Sequence, residues 1–145
     1  MKNKSISLKR LIKSFGYALN GIGLMIKQEQ NAKIHLSALL IVVVLGFYFH
    51  LSLFEWISIV IVSGGVFAAE ALNTSIETLS NTFAPEYNKN IKQVKDFAAG
   101  AVLVATITAI VVGLIIFVPK IIVEFNAAGL EGSQTMLKLP VWAPG

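Results

Sequence analysis

The chain has 145 residues, of which 55% are hydrophobic and only 14% are charged, and its mean hydropathy is +0.73. Soluble domains usually carry a charge on about a quarter of their residues, so this composition excludes a typical soluble domain and indicates a membrane protein. The absence of cysteine excludes disulfides and thiolate chemistry. The length fits one small helical domain.

The net charge of +4 is concentrated in two regions. Ten of the twelve basic residues lie before His35 or between Lys89 and Lys95. The positive-inside rule places both regions in the cytoplasm, and it places the short connection at 49–54 and the C-terminal tail on the opposite side. This distribution predicts contact with anionic lipid headgroups and nucleotide, not with nucleic acid.

The N-terminal region carries apolar residues at spacings of three and four from residue 5 to residue 27, with basic residues between them. This pattern predicts an amphipathic helix lying on the inner membrane surface. A solvated core helix is the alternative on pattern alone. We assign residues 1–30 to this cytoplasmic surface helix.

Three apolar segments follow, at 34–51, 54–72 and 96–118, each long enough to cross a bilayer. Pro85 breaks the polar connection between the second and third segments, because proline lacks an amide hydrogen. Pro119 and Lys120 are predicted to close the third span, with an extended or flexible outer tail from Glu124. The sequence thus predicts an all-α membrane protein with a three-helix membrane domain at 31–122 and an outer tail at 123–145.

Two carboxylates and an amide stand at the end of the second apolar segment. On a helix, Glu70, Asn73 and Glu77 fall within an arc of about 60° and share one face. Ionisable residues in or beside hydrocarbon usually turn inward and mark functional sites, since a carboxylate in lipid costs several kcal/mol. An acidic face in this position predicts a bound cation.

Further charged groups are expected near the same membrane boundary, namely Glu29 before the first span and Lys95-Asp96 at the start of the third. Carboxylates can hold Mg²⁺, a lysine beside them can bind phosphate, and one carboxylate can take a proton from an alcohol. Each residue also has a structural interpretation, such as helix packing for a membrane glutamate or capping for Asp96.

Other motifs are missing or isolated. The sequence has no G-x-x-x-x-G-K-[ST] loop and no H-R-D or D-F-G element, which excludes P-loop and protein-kinase folds. His35 and His50 are interpreted as isolated residues, and with no thiol they do not indicate a zinc site.

Two sequence blocks resemble the prokaryotic diacylglycerol kinase family, which includes the undecaprenol kinases. They are Glu70-x-x-Asn73-Thr74-x-Ile76-Glu77 and the run from Lys95-Asp96 through Ala98-Ala99-Gly100-Ala101-Val102-Leu103. The resemblance extends from about Leu11 to Pro119. It implies a surface helix and three spanning helices that assemble as a homotrimer in the bacterial inner membrane, with active sites shared between subunits.

The resemblance also implies transfer of the ATP γ-phosphoryl group to a lipid's primary hydroxyl, with Mg²⁺ as cofactor. Glu70 matches the family's general base and Asn73 its polar partner, while Glu29 and Glu77 match the Mg²⁺-binding carboxylates. The remaining nucleotide-contacting positions that it implies are Arg10, Tyr17, Glu86, Tyr87, Lys95 and Asp96. Asn81 and Ala99 depart from the family pattern, which often has Asp and in some members Ser at these positions.

The segment from Glu29 to Leu36 is more similar to undecaprenol kinases than to enzymes acting on diacylglycerol, so undecaprenol is the favoured acceptor. Two other hypotheses stay open on the sequence. One is a non-enzymatic membrane scaffold or channel-like oligomer whose carboxylates bind cations. The other is an inactive family member, suggested by Asn81 and Ala99.

Overall fold

The fold was analysed in a computed structural model that describes residues 7–84 and 86–137. Those residues form four helices, α1 (Leu8–Gln28), α2 (Gln30–Tyr48), α3 (Leu53–Phe83) and α4 (Lys89–Leu137). Three segments are long and apolar enough to cross a membrane, Gln30–Tyr48, Leu53–Phe83 and Lys89–Ala128. The predicted all-helical fold with three spanning segments is confirmed. Residues 1–6 of the predicted surface helix, Pro85 and residues 138–145 of the predicted tail lie outside the described residues.

A single residue separates α1 from α2. Glu29 has an extended backbone, with φ −92° and ψ 127°, and its N–H donates to the carbonyl of Met25. Around this corner the side chains of Met25 and Ala32 are buried, whereas most of α1 is exposed. The corner therefore fixes the backbone position from which the Glu29 side chain extends. The position of α1 on a membrane surface stays a prediction.

The bundle is organised around α3. It packs along its length against α4, and it also contacts α2 and α1. Contacts between Glu55 and Lys120 and between Asn81 and Lys95 show that α3 and α4 run antiparallel. The outer surface carries exposed Phe47, as expected for helices that face hydrocarbon. We call the half of the bundle near the α2–α3 connection the hairpin end (residues 46–59 and 112–124), and the half containing residues 25–35, 70–81 and 92–98 the carboxylate end.

The α2–α3 connection is a Schellman turn. The N–H of Leu51 donates to the carbonyl of Gly46 over 3.0 Å, the N–H of His50 donates to Phe47, and His50 has a positive φ of 49°. Gly46 is required here by space, since a Cβ atom would lie 2.6 Å from Cη2 of Trp56. The turn brings α2 and α3 together as a tight helical hairpin.

A capping box starts α3 directly after this turn. The Ser52 hydroxyl accepts from the N–H of Glu55, and the Glu55 carboxylate accepts from the Ser52 N–H over 2.7 Å. Beneath the turn, the apolar side chains of Leu51, Ile59, Ile116 and Phe117 form the buried core of the hairpin end. This end of the bundle therefore pairs the polar groups of its turn and capping box and contains a small buried apolar core.

Pro119 does not end the third span, so the predicted end of that helix is wrong. Helix α4 continues through Pro119 to Leu137, where an extended tail from Glu124 was expected. A proline inside a helix removes one N–H and crowds the carbonyl four residues before it, which costs about 3 kcal/mol. Beyond it, Lys120 forms an ion pair with Glu55 at 3.1 Å, and the Tyr48 hydroxyl donates to Glu124 over 3.4 Å. These contacts hold α4 against the hairpin where the proline would otherwise favour a break.

The start of α4 also differs from the prediction. The helix begins at Lys89, and the Asn88 side chain accepts hydrogen bonds from the N–H groups of Asn90 and Ile91. Asp96 therefore lies inside the helix, about two turns from its start, and the alternative interpretation of Asp96 as a first-turn cap is wrong.

Candidate active site

The carboxylate end brings together side chains from three helices. Glu70, Asn73 and Glu77 project from one face of α3, as their spacing predicts. Glu29 lies at the α1–α2 corner, close enough to Glu70 for the two charges to interact. The Glu29 and Glu77 side chains are partly exposed, so both carboxylates remain accessible to a ligand.

Glu70 is the most deeply buried charged residue of the described chain. It is 1% exposed, and its Oε2 atom has no hydrogen-bond partner within the described residues. Leaving a buried polar atom unpaired costs about 1–3 kcal/mol, so such atoms in native proteins call for an explanation. A ligand hydroxyl that donates to this oxygen would provide one.

Asn73 lies between Glu70 and Glu77 on the helix face and contacts Glu77. Its Nδ2 atom donates to Oε1 of Glu77 over 3.4 Å, whereas its buried Oδ1 atom has no partner in the part of the chain that the structure describes. The amide thus orients one carboxylate and leaves an acceptor free beside the other. The neighbouring Ser75 hydroxyl returns to the backbone carbonyl of Ala71, which is a local role within the helix.

His35 is not isolated, contrary to the interpretation from sequence. It lies near Glu70. It also lines an apolar cavity of about 200 Å³ between α2, α3 and α4, together with Phe67 and Thr106, whose hydroxyl has no partner among the described residues. The cavity therefore extends from His35 toward the middle of the bundle, and Glu70 does not line it. No sequence signal connects His35 to Glu70, because their proximity depends on how α2 packs on α3.

Lys95 and Asp96 point to different partners. The Lys95 ammonium donates to Oδ1 of Asn81, at 3.2 Å, and Asp96 forms an ion pair with Lys92 at 2.6 Å. Asn81 lies one helical turn beyond Glu77 on α3, so Lys95 stands at the edge of the carboxylate end.

The other predicted nucleotide contacts stand apart from this cluster. Arg10 and Tyr17 are exposed on α1, where Lys13 lies 5.7 Å from the centre of the Tyr17 ring. Glu86 and Tyr87 are exposed in the turn before α4. Within residues 7–84 and 86–137, no hydrogen bond or ion pair joins these four side chains to Glu29, Glu70, Asn73 or Glu77.

The carboxylates at this end of the bundle suit a cation that also binds substrate oxygens. Among the described residues, no three Asp, Glu or His side chains gather into a complete metal site. Mg²⁺ is commonly held by one or two carboxylates, with waters and substrate phosphates completing its shell. Glu29 and Glu77, both partly exposed, match that requirement. A small helical membrane bundle with a buried carboxylate, flanking acids and a nearby lysine is the arrangement of a membrane phosphotransferase.

Comparison with known proteins agrees with this class. The sequence pattern of the prokaryotic diacylglycerol kinase family matches residues 16–117. An undecaprenol kinase from Bacillus subtilis is 38% identical over 120 residues, which are 83% of this chain and 98% of that protein. A diacylglycerol kinase from Synechocystis sp. is 32% identical over 113 residues, which are 77% of this chain and 65% of that protein.

The chain belongs to the prokaryotic diacylglycerol kinase family. It is a membrane lipid kinase, a phosphotransferase with an alcohol group as acceptor and ATP as the phosphate donor that the family implies. Membership confirms the predicted family and enzyme class. It favours that prediction over the non-enzymatic scaffold or channel.

Proposed function

We propose that this protein is a Mg²⁺-dependent undecaprenol kinase that transfers the γ-phosphoryl group of ATP to the primary hydroxyl of the lipid. The observation that carries this proposal is the buried Glu70 carboxylate, whose Oε2 atom has no partner within the described residues. A carboxylate that takes the proton of an alcohol needs a free oxygen at the point where the hydroxyl arrives.

In the proposed reaction, Glu70 accepts the proton of the lipid hydroxyl. The hydroxyl oxygen then forms a bond to the γ-phosphorus as the bond between that phosphorus and the bridging oxygen of ADP breaks. Asn73 holds Glu77 through its Nδ2 atom, and its buried Oδ1 atom, which has no partner within the described residues, is available to the reacting groups. Phosphoryl transfer depends mainly on positioning and on neutralising charge, and these residues supply the positioning.

Glu29 and Glu77 are the proposed Mg²⁺ ligands. When bound, the ion would neutralise phosphate charge and bridge the protein to the nucleotide. We assign the remaining nucleotide contacts to Lys95 and Asp96 at the carboxylate end. We propose four further nucleotide contacts, Arg10, Tyr17, Glu86 and Tyr87. These residues would reach the site when the nucleotide binds, or would come from another subunit.

Undecaprenol is proposed as the acceptor over diacylglycerol because the relative named undecaprenol kinase is aligned over nearly its whole length. The cavity beside His35 is apolar, so it suits the hydrocarbon next to the hydroxyl of either lipid and does not discriminate between them. Diacylglycerol, the acceptor named for the second relative, is the competing substrate.

We further propose that the protein lies in the bacterial inner membrane as a homotrimer, with its N-terminus and carboxylate end on the cytoplasmic side. The clustering of basic residues before His35 and between Lys89 and Lys95 supports this orientation. Cytoplasmic exposure would give the carboxylate end access to ATP.

The decisive experiment is a phosphorylation assay on detergent-purified protein, with labelled ATP and with undecaprenol and diacylglycerol offered at equal concentrations. We expect a labelled undecaprenol product that requires Mg²⁺ and disappears with EDTA. Preferential labelling of diacylglycerol would contradict the proposed acceptor. Absence of product from either lipid, in protein shown to be folded, would support the inactive-member hypothesis.

A further inference from the structure

Thr106 carries a buried hydroxyl that no other group of the described chain uses. Its Oγ1 atom has no hydrogen-bond partner within residues 7–84 and 86–137. By contrast, the hydroxyl of Thr108, two residues further along α4, donates to the carbonyl of Val104 over 2.9 Å. A threonine inside a helix can usually pair its hydroxyl in this way. The Thr106 hydroxyl is therefore available, and leaving it unpaired costs free energy unless a ligand uses it.

The packing of α3 against α4 places Thr106 at the level of Glu70. The two helices run antiparallel, and Asn81 of α3 contacts Lys95 of α4. Glu70 lies eleven residues before Asn81, and Thr106 lies eleven residues after Lys95. Because both helices rise by the same distance per residue, Glu70 and Thr106 lie at nearly the same height in the bundle. The ion pair at the hairpin end gives the same register to within one residue.

Thr106 also lines the apolar cavity at its end closer to Glu70. Among the lining residues, His35, Phe67 and Thr106 are those of α2, α3 and α4 that lie nearest in sequence to the carboxylate end. Phe67 precedes Glu70 by about one helical turn, and His35 lies near Glu70. From there the cavity extends between apolar side chains toward the hairpin end. A long apolar ligand in this cavity would present its polar terminus to Thr106.

The unpaired groups of Glu70 and Thr106 are complementary. The described residues contain four buried side-chain oxygens without a partner, and three of them lie close together on α3, in Glu70, Asn73 and Thr74. Thr106 supplies the fourth, from the facing helix. An ionised carboxylate only accepts hydrogen bonds, whereas a threonine hydroxyl can donate one. A single alcohol group can therefore donate to Glu70 and accept from Thr106 at the same time.

We propose that Thr106 is an acceptor-binding residue, whose hydroxyl donates a hydrogen bond to the oxygen of the lipid's primary alcohol. The alcohol donates its own proton to Glu70, and the apolar chain next to the alcohol carbon lies in the cavity. Thr106 keeps its proton and holds the alcohol oxygen in place. This inference rests on the proposed function, in which Glu70 accepts the proton of the lipid hydroxyl, and it adds a contact from α4 to a site built on α3.

Thr106→Val tests the hydroxyl with little change in side-chain volume. The full-length protein in detergent is assayed at saturating ATP over a range of acceptor concentrations. We expect kcat/KM for the acceptor to fall about threefold to tenfold, the effect of losing one net hydrogen bond, while KM for ATP stays within about twofold of wild type. Thr106→Ser keeps the hydroxyl and should recover most of the loss. The midpoint of thermal unfolding should not fall in Thr106→Val, because no bond within the described chain is removed.

Thr108→Val is the matched control. It removes a hydroxyl from the same helix, at a position where that hydroxyl bonds to the carbonyl of Val104. Its kcat/KM for the acceptor should stay within about twofold of wild type, by comparison with the loss of one substrate hydrogen bond. Equal losses in Thr106→Val and Thr108→Val would overturn the inference, since any hydroxyl on α4 would then have the same effect. Wild-type acceptor kinetics in Thr106→Val, or a rise in KM for ATP alone, would overturn it too.

Binding without ATP separates this inference from the proposed function. The probe is tritiated farnesol, a short isoprenoid primary alcohol, and the competitor is farnesene, a hydrocarbon with the same carbon skeleton. Thr106→Val should weaken farnesol binding about threefold to tenfold and leave competition by farnesene within about twofold. If this result holds while the wild-type protein phosphorylates no lipid, the alcohol site stands and the proposed function fails. If farnesol binding does not depend on Thr106, the inference is wrong, even where lipid phosphorylation upholds the proposed function.

Discussion

Glu55 and Glu70 lie on the same helix about four turns apart, and their carboxylates have opposite surroundings. The Glu55 carboxylate accepts hydrogen bonds from the N–H and hydroxyl of Ser52 and forms an ion pair with Lys120. Glu70 is more deeply buried, yet one of its oxygens has no partner in the described chain. The same side chain is thus fully engaged at the hairpin end and left available at the carboxylate end.

This contrast separates stability from function along one helix. Polar groups in an apolar environment cost free energy unless they are paired, so a fold selected only for stability would resemble the hairpin end throughout. Within the described residues, the carboxylate end instead retains free acceptor oxygens on both Glu70 and Asn73. We infer that the hairpin end holds the helices together so that the carboxylate end can keep reactive groups unpaired.

Replacing each glutamate by glutamine tests this contrast with the largest expected effect. Glu70→Gln should lower turnover at least about 100-fold, since it removes the proposed general base. Its midpoint of thermal unfolding should stay the same or rise, because a buried charge is removed. Initial rates of lipid phosphorylation and unfolding in detergent measure both quantities.

Glu55→Gln is the matched control for that substitution. It should keep turnover and lower the stability by about 1 kcal/mol, through weakening of the capping box and loss of the ion pair with Lys120. Wild-type turnover in Glu70→Gln would remove Glu70 from the chemistry. A large loss of turnover in Glu55→Gln would show that the two ends are not separable.

Close packing at the hairpin end gives the next largest effect. In Gly46→Ala the new Cβ would lie 2.6 Å from Cη2 of Trp56, so the indole ring or the helix must move. We expect a loss of about 1–3 kcal/mol in the free energy of unfolding, the usual cost of overpacking. Gly64→Ala, where a Cβ would meet no atom within 4 Å, should be neutral or stabilising. Equal stabilities of the two variants would contradict the close α2–α3 contact.

The sequence allowed prediction of the helices and of the acidic face, because both depend on local spacing. Glu70, Asn73 and Glu77 share a face on any regular helix, and the proline in the sequence predicted a break in the connection where α3 ends at Phe83 and α4 begins at Lys89. The helix ends were harder. The contacts of Lys120 and Glu124 that carry α4 past Pro119 join residues distant in sequence, and no pattern near the proline reports them.

The same reason explains what sequence analysis missed within the site. His35 lies near Glu70, and Asn81 meets Lys95, only because of the register in which α3 packs against α2 and α4. The single-residue α1–α2 corner at Glu29 is also a tertiary feature, although the residue itself was singled out as a ligand. The packing register between helices determines which side chains become partners, and residue spacing on one helix cannot predict that register.

His50 gives the smallest expected effect and shows how independent the two ends are. Its φ of 49° costs about 1–2 kcal/mol for a residue with a Cβ atom, and glycine avoids that cost at an entropic loss of about 0.5–1 kcal/mol. His50→Gly should therefore raise the stability by about 0.5–1 kcal/mol. His50→Ala, which keeps the Cβ, should not be stabilising. Thermal unfolding in detergent distinguishes the two variants. If both match wild type, the turn is not strained at His50. If His50→Gly is stabilised and its turnover is unchanged, the hairpin end can be strengthened without altering the chemistry that the carboxylate end performs.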